Sequence, residues 1–305
     1  MQIMEMARGC NQSFEELPSI DQQLTFSKLS IELIRVLGIE QLNRDILKTL
    51  ELYSDQNGFN NAAALLADTN SFKGIDIIRF GNSINEIMER KSLENISILL
   101  QMEQCIQMFH QYYRYEKIEG MDRKSVDKIP ERAFREAVAN ALVHRMWDIP
   151  ASIKISMYSD KIEISSQGGL PAGISEDEYL NGQISLLRNP IIGNVFFRLK
   201  YIEKFGTGIM RINYAYKDAL IKPDYHIFSN SIQIILPVIK SDYKLNETEK
   251  KLLNILKING SMTRNEIEKA AEIDKSKAIR GLNRLIEKKM IQKRDLGRGT
   301  KYEIV

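Results

Sequence analysis

The feature that most constrains the fold is a polar pattern on one predicted helix, followed far downstream by a glycine-rich turn. Glu136, Asn140 and His144 are spaced four residues apart, so a helix presents them on nearly one face. Glu136 and Asn140 can hold a water and a divalent cation when a phosphate lies nearby. Gly206-Thr207-Gly208 could cradle that phosphate, because a turn that opens a helix directs free N–H groups at an anion. The alternative is that the three polar residues form only the solvated stripe of an amphipathic helix.

The charge of the chain is concentrated at its C-terminus. Residues 240–305 contain 17 Lys and Arg against 10 Asp and Glu, whereas residues 1–239 contain 26 against 30. A basic segment of this kind is where an acidic polymer would bind. The whole chain has 305 residues, a length that predicts two or three domains.

The cysteines and the apolar runs favour a cytoplasmic protein without a membrane segment. Cys10 and Cys105 lack partners at metal-ligand spacing, so both are interpreted as reduced thiols. No apolar run approaches the ~18 residues of a membrane span, and the N-terminus lacks the features of a signal peptide.

Residues 1–127 are predicted to form a mostly helical region. Asn60 is placed to cap a helix of small residues beginning at Ala62. Residues 92–117 are predicted to form one long helix, and residues 74–80 alternate in hydropathy as a strand does.

Residues 128–240 are predicted to form a layered α/β sandwich with an antiparallel or mixed sheet. The predicted elements are, in order, a helix (130–145), a hairpin (153–165), a glycine-rich loop (168–173), a variable segment (174–205), a glycine-rich turn (206–208), a helix (208–220) and a strand (231–238). The chain contains neither a Walker-type loop nor Gly-x-Gly-x-x-Gly after a strand, which excludes those two nucleotide folds. The overall fold class is therefore predicted to be α+β.

Residues 241–305 are predicted to form a winged helix-turn-helix. Asn246 with Glu249 and Thr263 with Glu266 are capping-box patterns, each followed by a helical run. A third helix, capped by Asp274, precedes a hairpin with a glycine-rich tip. In such a domain the third helix enters the major groove of duplex DNA.

The predicted DNA-binding residues are basic or polar side chains on the third helix and in the wing. They are Lys275, Ser276, Lys277, Arg280 and Arg284 on the helix, and Arg294, Arg298 and Lys301 in the wing. Phosphate contacts are expected to dominate the affinity, with Arg280 or Ser276 as the base-reading residue. The alternative is that these side chains merely solvate an exposed helix.

Four ordered blocks give residues 128–240 a family resemblance. The blocks are Phe134-Arg-Glu-Ala with Asn140-Ala and His144-Arg, Gly168-Gly-Leu-Pro171, Arg188-Asn-Pro190, and Ile202-Glu-Lys-Phe-Gly-Thr-Gly-Ile209. This stretch resembles the C-terminal domain of RecG-related transcriptional regulators, a divergent branch of the GHKL (histidine-kinase-like) ATPase superfamily. Residues 1–127 are similar to the end of the Schlafen-type AlbA region that precedes it in such proteins.

The resemblance implies ATP and Mg²⁺ as cofactors and assigns roles to particular residues. Glu136 would polarise the attacking water as the catalytic residue, and Asn140 would contact the nucleotide and the metal. The nucleotide loops would be lined by Gly168, Gly169, Gly206, Thr207 and Gly208.

One position departs from the superfamily pattern. An Asp normally stands two residues before the first loop glycine and holds the adenine amino group; here Ser166 or Gln167 stands there, depending on the register. A neutral partner is a weaker anchor than a carboxylate. We therefore expect weak or absent ATP hydrolysis.

Three functions are compatible with these patterns. The favoured one is a regulator that binds double-stranded DNA and uses the GHKL-like domain as a sensor. The alternatives are an ATPase coupled to a DNA transaction and an interaction module with a vestigial pocket. Formation of a homodimer is left open.

Overall fold

The computed structural model describes residues 13–171, 173–182, 186–203, 207–219, 221–239, 245–288, 290–295 and 300–304. The chain divides into two compact units, Met1–Ile239 and Lys240–Val305. None of the described helices is long and apolar enough to cross a membrane.

The first unit combines strands and helices from its whole length. Its strands are β1 (Tyr53–Ser54), β2 (Gly58–Phe59), β3 (Ile75–Phe80), β4 (Ile87–Leu93), β5 (Arg114–Glu119), β6 (Asp122–Asp127), β7 (Ile153–Met157), β8 (Lys161–Gln167), β9 (Asp224–Phe228) and β10 (Ser231–Pro237). Its helices are a 3-10 turn at Phe14–Glu16, then α1 (Ser27–Leu37), α2 (Arg44–Thr49), α3 (Asn61–Leu66), α4 (Ile98–Tyr113), α5 (Glu131–His144), α6 (Glu176–Leu180), α7 (Pro190–Arg198) and α8 (Gly208–Ala215).

Six strands form one mixed sheet in the order β4-β3-β7-β8-β10-β9, in which only the β3–β7 pair is parallel among the described pairs. Ile155, Ile164 and Ile234 lie in register across β7, β8 and β10, and each is at most 4% exposed. Burying each such side chain stabilises the fold by roughly 1.5–3 kcal/mol. The alternation of apolar and polar residues along these strands therefore determines which face of the sheet is buried.

The core lies between this sheet and α5. Along α5 the alanines, Phe134, Val138 and Leu142 are buried, and the Phe134 ring stacks on Phe109 of α4 with 4.7 Å between centroids. A helix with an apolar stripe of this width must pack on another element. This packing holds the polar side of α5 in a constant position.

Two expectations for residues 1–127 need correction. The predicted helix over 92–117 is shorter, because α4 ends at Tyr113 and Arg114 begins a hairpin that turns at Gly120 with φ +68°. The region is also less helical than predicted, since β3 and β4 join the sheet that contains β7 and β8. Residue 127 therefore separates two segments of the sequence but does not mark a domain boundary in the structure.

The end of the first unit also differs from the prediction. Helix α8 ends at Ala215, not near residue 220, and the unpredicted strand β9 follows at Asp224–Phe228. The predicted hairpin of β7 and β8 is confirmed, because Tyr158 N–H donates to Lys161 O across Ser159-Asp160 at 2.9 Å.

The second unit has the predicted winged-helix arrangement. It contains α9 (Glu247–Asn259), α10 (Arg264–Ala271) and α11 (Lys275–Glu287), with strands β11 (Met262–Thr263), β12 (Ile291–Asp295) and β13 (Thr300–Ile304). Both predicted capping boxes are present. The separate core of this unit includes Leu252, Leu256, Ile267, Leu282 and Leu285.

Candidate functional site

Helix α5 carries the two predicted polar site residues on the side next to α8. Gly208 opens α8 so close to them that a Cβ built on it would lie 2.5 Å from Asn140 Nδ2 and 2.9 Å from Glu136 Oε1. Only glycine allows this approach without a shift of the neighbouring side chains. The structure therefore brings Glu136, Asn140, Thr207 and Gly208 together, while Gly206 lies outside the described residues.

Glu136 is a nearly buried carboxyl group beside a cation. Its exposed fraction is 7%, and Arg211 Nη1 lies 3.7 Å from Glu136 Oε2. Burial raises the pKa of Glu136 and the Arg211 charge opposes that rise. Arg211 also approaches Glu203 Oε1 at 3.8 Å, so one guanidinium serves two carboxylates. A carboxyl group in this setting can accept a proton or a hydrogen bond from a bound water.

A cavity of about 580 Å³ lies beside these residues. Its size falls within the range of pockets that bind small molecules and cofactors. Its lining includes Glu136, Asn140, His144, Gly169, Thr207 and Gly208. Gly168 instead lines a neighbouring cleft of about 20 Å³.

His144 lies at the end of α5, on the same side as Glu136 and Asn140, and lines the cavity. Burial, with a smaller effect of the Arg188 charge, lowers the pKa of His144 to about 4. The imidazole is therefore neutral at physiological pH and adds no positive charge to the cavity.

Two hydrogen bonds distinguish the side-chain directions of the two residues at the departing position. Ser166 points towards α5, where its hydroxyl donates to Ala141 O at 3.0 Å. Gln167 donates instead to Ser152 O at 2.7 Å. Ser166 thus occupies the inward position, and its hydroxyl hydrogen is already bonded within the protein.

Glu136 and Asn140 are the side chains that could bind a metal together with a ligand phosphate. Their oxygens both approach Gly208, and oxygen ligands suit Mg²⁺. Among the described residues, no group of three or more His, Cys, Asp and Glu side chains could hold a metal ion.

Sequence reasoning assigned no role to Arg145 or Asn189, although both occur in the quoted blocks. Arg145 is 1% exposed and donates to the carbonyls of residues 73, 74, 149 and 151. Asn189 Nδ2 donates to Val143 O at 2.7 Å and to Arg145 O at 2.8 Å. These bonds connect the end of α5 to the surrounding loops.

The N-terminus of α7 is capped by a residue from the beginning of the described chain. Glu15 is fully buried, and its two carboxylate oxygens accept the N–H groups of Ile191 at 2.6 Å and Ile192 at 3.0 Å. Ile191 also lines the cavity. The sequence contains no local signal for this contact, because its partners are 176 residues apart.

In the second unit, the N-terminal half of α11 presents an exposed basic surface. Asp274 caps the helix by accepting Lys277 N–H at 2.9 Å. The exposed side chains of this surface are Lys275, Ser276, Lys277 and Arg280. Neither lysine forms an ion pair with another described residue.

The other predicted DNA-binding residues differ from this group. Arg284 lies 4.0 Å from the buried Glu249, and Arg294 Nε pairs with Glu303 at 2.8 Å, so carboxylates partly neutralise both charges. Lys301 lies in the β-sheet opposite Arg294 and is half-buried. Arg298 lies outside the described residues.

Two family models match consecutive parts of the chain. Residues 151–236 match the family described as "Putative ATP-dependent DNA helicase recG C-terminal". Residues 239–305 match the family described as "Sugar-specific transcriptional regulator TrmB". These matches confirm the predicted resemblance to RecG-related regulators. The first match begins after α5, so Glu136 and Asn140 lie outside it.

The fold is similar to that of a solved structure. It is the crystal structure of the DIP2311 protein from Corynebacterium diphtheriae, with a TM-score of 0.66 and 17% sequence identity. The alignment covers 100% of this chain and 66% of the other, so the chain spans just under two thirds of that protein's length. No curated protein matches the chain.

Proposed function

We propose that this chain is a transcriptional regulator that binds double-stranded DNA through α11 and binds a nucleotide-type ligand in the cavity of its first unit. The observation that carries the proposal is the exposed N-terminal half of α11, with Lys275, Lys277 and Arg280, in a winged-helix unit that matches the TrmB family. A recognition helix contacts DNA through its N-terminal residues.

The contacts within the second unit divide the predicted DNA-binding residues by role. Lys275 and Lys277 have no carboxylate partner within the described residues, so each can neutralise a DNA phosphate. Arg280 has its Nε bonded to Ser276 O at 3.3 Å and retains its terminal N–H donors for a guanine edge. Arg284 and Arg294 contribute less, because carboxylates already contact them.

A binding titration of the full chain against duplex DNA tests the DNA-binding part. A 30-base-pair target selected from a random pool is compared with a non-selected duplex. Arg280→Ala is expected to cost about 1–3 kcal/mol on the selected target and to reduce the discrimination between the two. Lys257→Ala, a change at an exposed lysine of α9, is the control and should leave both affinities nearly unchanged. Equal effects of the two substitutions would contradict the proposal.

The ligand part of the proposal is supported by the cavity and by the match of residues 151–236. Glu136 and Asn140 provide two oxygens beside the N-terminus of α8, where a nucleotide phosphate could bring Mg²⁺. A bound Mg²⁺ would neutralise phosphate charge. The residues of the chain would orient the nucleotide and a water, with Glu136 accepting a hydrogen bond from that water.

A sensor is favoured over an ATPase, the alternative function, because of Ser166. Its hydroxyl donates to Ala141 O and has no charge with which to hold the adenine amino group. We therefore expect weak or absent ATP hydrolysis. Brisk Mg²⁺-dependent turnover that is lost in Glu136→Ala, and retained in the control Glu176→Ala at an exposed residue of α6, would favour the ATPase instead.

A further inference from the structure

The charges that line the cavity are unequally distributed. Its described lining contains four glutamates, Glu16, Glu51, Glu136 and Glu203, but a single Lys or Arg residue, Arg188. His144 is neutral at physiological pH, because burial lowers its pKa to about 4. The anionic group of a ligand that enters the cavity without a metal is therefore attracted by one lining side chain, that of Arg188.

The N-terminus of α8 is a poor place for such an anion. Gly208 lies directly against Glu136, because a Cβ built on Gly208 would lie 2.9 Å from Glu136 Oε1, so the carboxyl group lies beside the first residue of the helix. Arg211, which approaches Glu136, is shared with Glu203. A free phosphate at the N-terminus of α8 would lie near the carboxylates of Glu136 and Glu203. Like charges repel, so this position is unfavourable for an anion.

Arg188 lies at a different part of the lining, against the glycine-rich loop. Its Nη2 donates to Gly169 O at 2.7 Å, while Nη1 is buried beside Gly168 and has no hydrogen-bond partner among the described residues. Gly168 has φ +103°, and a Cβ there would overlap Nη1. The absence of a side chain at Gly168 thus lets the guanidinium approach the loop closely.

The charge of Arg188 is only weakly balanced inside the protein. No described carboxylate lies within ion-pair distance of it, although the more distant Asp148 favours its charged form. The guanidinium is partly withdrawn from water, and this burial lowers the pKa of Arg188. A half-buried cation with unused N–H donors is stabilised by an anion that accepts them.

We propose that Arg188 binds the anionic group of a ligand that enters the cavity without a metal, a phosphate in the case of a nucleotide, and so favours an anionic ligand over a neutral one. This proposal rests on the proposed function insofar as the ligand is a nucleotide. The alternative role for Arg188 is structural: its hydrogen bond would only stabilise the Gly168–Gly169 loop. The experiment distinguishes this role from ligand binding.

The test measures the dissociation constants of ADP and adenosine, without Mg²⁺, and the thermal stabilisation by inorganic pyrophosphate. Wild type is expected to bind ADP more tightly than adenosine, since hydrogen bonds to charged groups contribute about 10- to 100-fold in affinity. Arg188→Met should remove most of this difference while leaving the affinity for adenosine. Arg188→Lys should retain part of it, because a lysine keeps the charge but not the planar fork.

Arg198→Met is the matched control, because Arg198 is the last residue of α7, the helix that begins two residues after Arg188, and is not part of the cavity lining. It should retain the preference for ADP. If Arg188→Met weakened the binding of ADP and of adenosine equally, or left the preference for ADP intact, Arg188 would only stabilise the Gly168–Gly169 loop. The proposal would then be wrong.

The pyrophosphate measurement distinguishes this proposal from the nucleotide part of the proposed function. If wild type binds neither ADP nor adenosine but is stabilised by pyrophosphate, and Arg188→Met is not, Arg188 is an anion site and the nucleotide assignment fails. If wild type binds ADP no more tightly than adenosine and is not stabilised by pyrophosphate, the anion site is refuted.

Discussion

Replacing Glu15 with Gln should remove a specific pH dependence from the stability of the first unit. Glu15 is fully buried, and burial raises its pKa from 4.5 to about 7, although the N–H groups of Ile191 and Ile192 act in the opposite direction. A carboxyl group with a raised pKa in the folded state favours folding while it is protonated. Its contribution is present at low pH and is lost as the pH rises towards and past 7.

The magnitude follows from the two pKa values. Between pH 5 and pH 8, wild type should lose about 2.5 kcal/mol of unfolding free energy relative to Glu15→Gln, since one pKa unit corresponds to about 1.4 kcal/mol. Other titrating groups contribute equally to both proteins and cancel in the difference.

The assay is urea unfolding at pH 5 and pH 8, followed by the fluorescence of Trp147. This is the only tryptophan of the chain and it is 4% exposed in the first unit, so its signal reports that unit. Glu40→Gln, a change at an exposed residue, is the control and should show no such pH dependence relative to wild type. A constant difference between Glu15→Gln and wild type would refute the reasoning. A difference of opposite sign would mean that the two N–H bonds outweigh burial.

Three further substitutions test individual contacts within the first unit, each by urea unfolding. Gly208→Ala should destabilise the first unit by about 1–3 kcal/mol and weaken ADP binding, because its Cβ would lie 2.5 Å from Asn140 Nδ2; unchanged stability and binding would contradict this close approach. Arg145→Met should cost at least about 3 kcal/mol, because several buried carbonyls lose their donor; a cost below 1 kcal/mol would show that these bonds are not needed. Asn60→Ala should cost about 1 kcal/mol, because Asn60 Oδ1 caps α3 by accepting Ala63 N–H at 3.0 Å, and a neutral result would exclude a capping role.

Local signals in the sequence predicted the elements whose ends depend on nearby residues. The Asn60 cap of α3, the Asp274 cap of α11 and the two capping boxes of the second unit all involve partners within three residues. The strands with clear alternation, β3, β7, β8 and β10, were predicted for the same reason. A pattern of period two depends on burial of one face, which is visible in a short window.

Long-range contacts could not be predicted in this way. Strand β3 pairs in parallel with β7, so a region predicted to be mostly helical contributes to the central sheet. Glu15 caps a helix near residue 191, and Arg145 donates to the carbonyl of Gly74 at 3.2 Å. Each contact depends on segments that only the folded chain brings together.

The candidate site was predictable in part. The order of the blocks led to Glu136, Asn140 and Thr207–Gly208, which the structure brings together around the cavity. It did not lead to Arg188, because one arginine in a short block looks like any surface cation. The charge of Arg188 becomes informative only beside the glutamates that line the same cavity.

The central claim, that α11 binds duplex DNA, is tested most directly by the salt dependence of the affinity of the full chain. Each neutralised phosphate contributes about 0.9 to the slope of log K against log of the salt concentration. The double substitution Lys275→Ala with Lys277→Ala should therefore reduce the magnitude of the slope by about 1.8 relative to wild type. An unchanged slope, or no salt-sensitive affinity of wild type for duplex DNA, would contradict the claim.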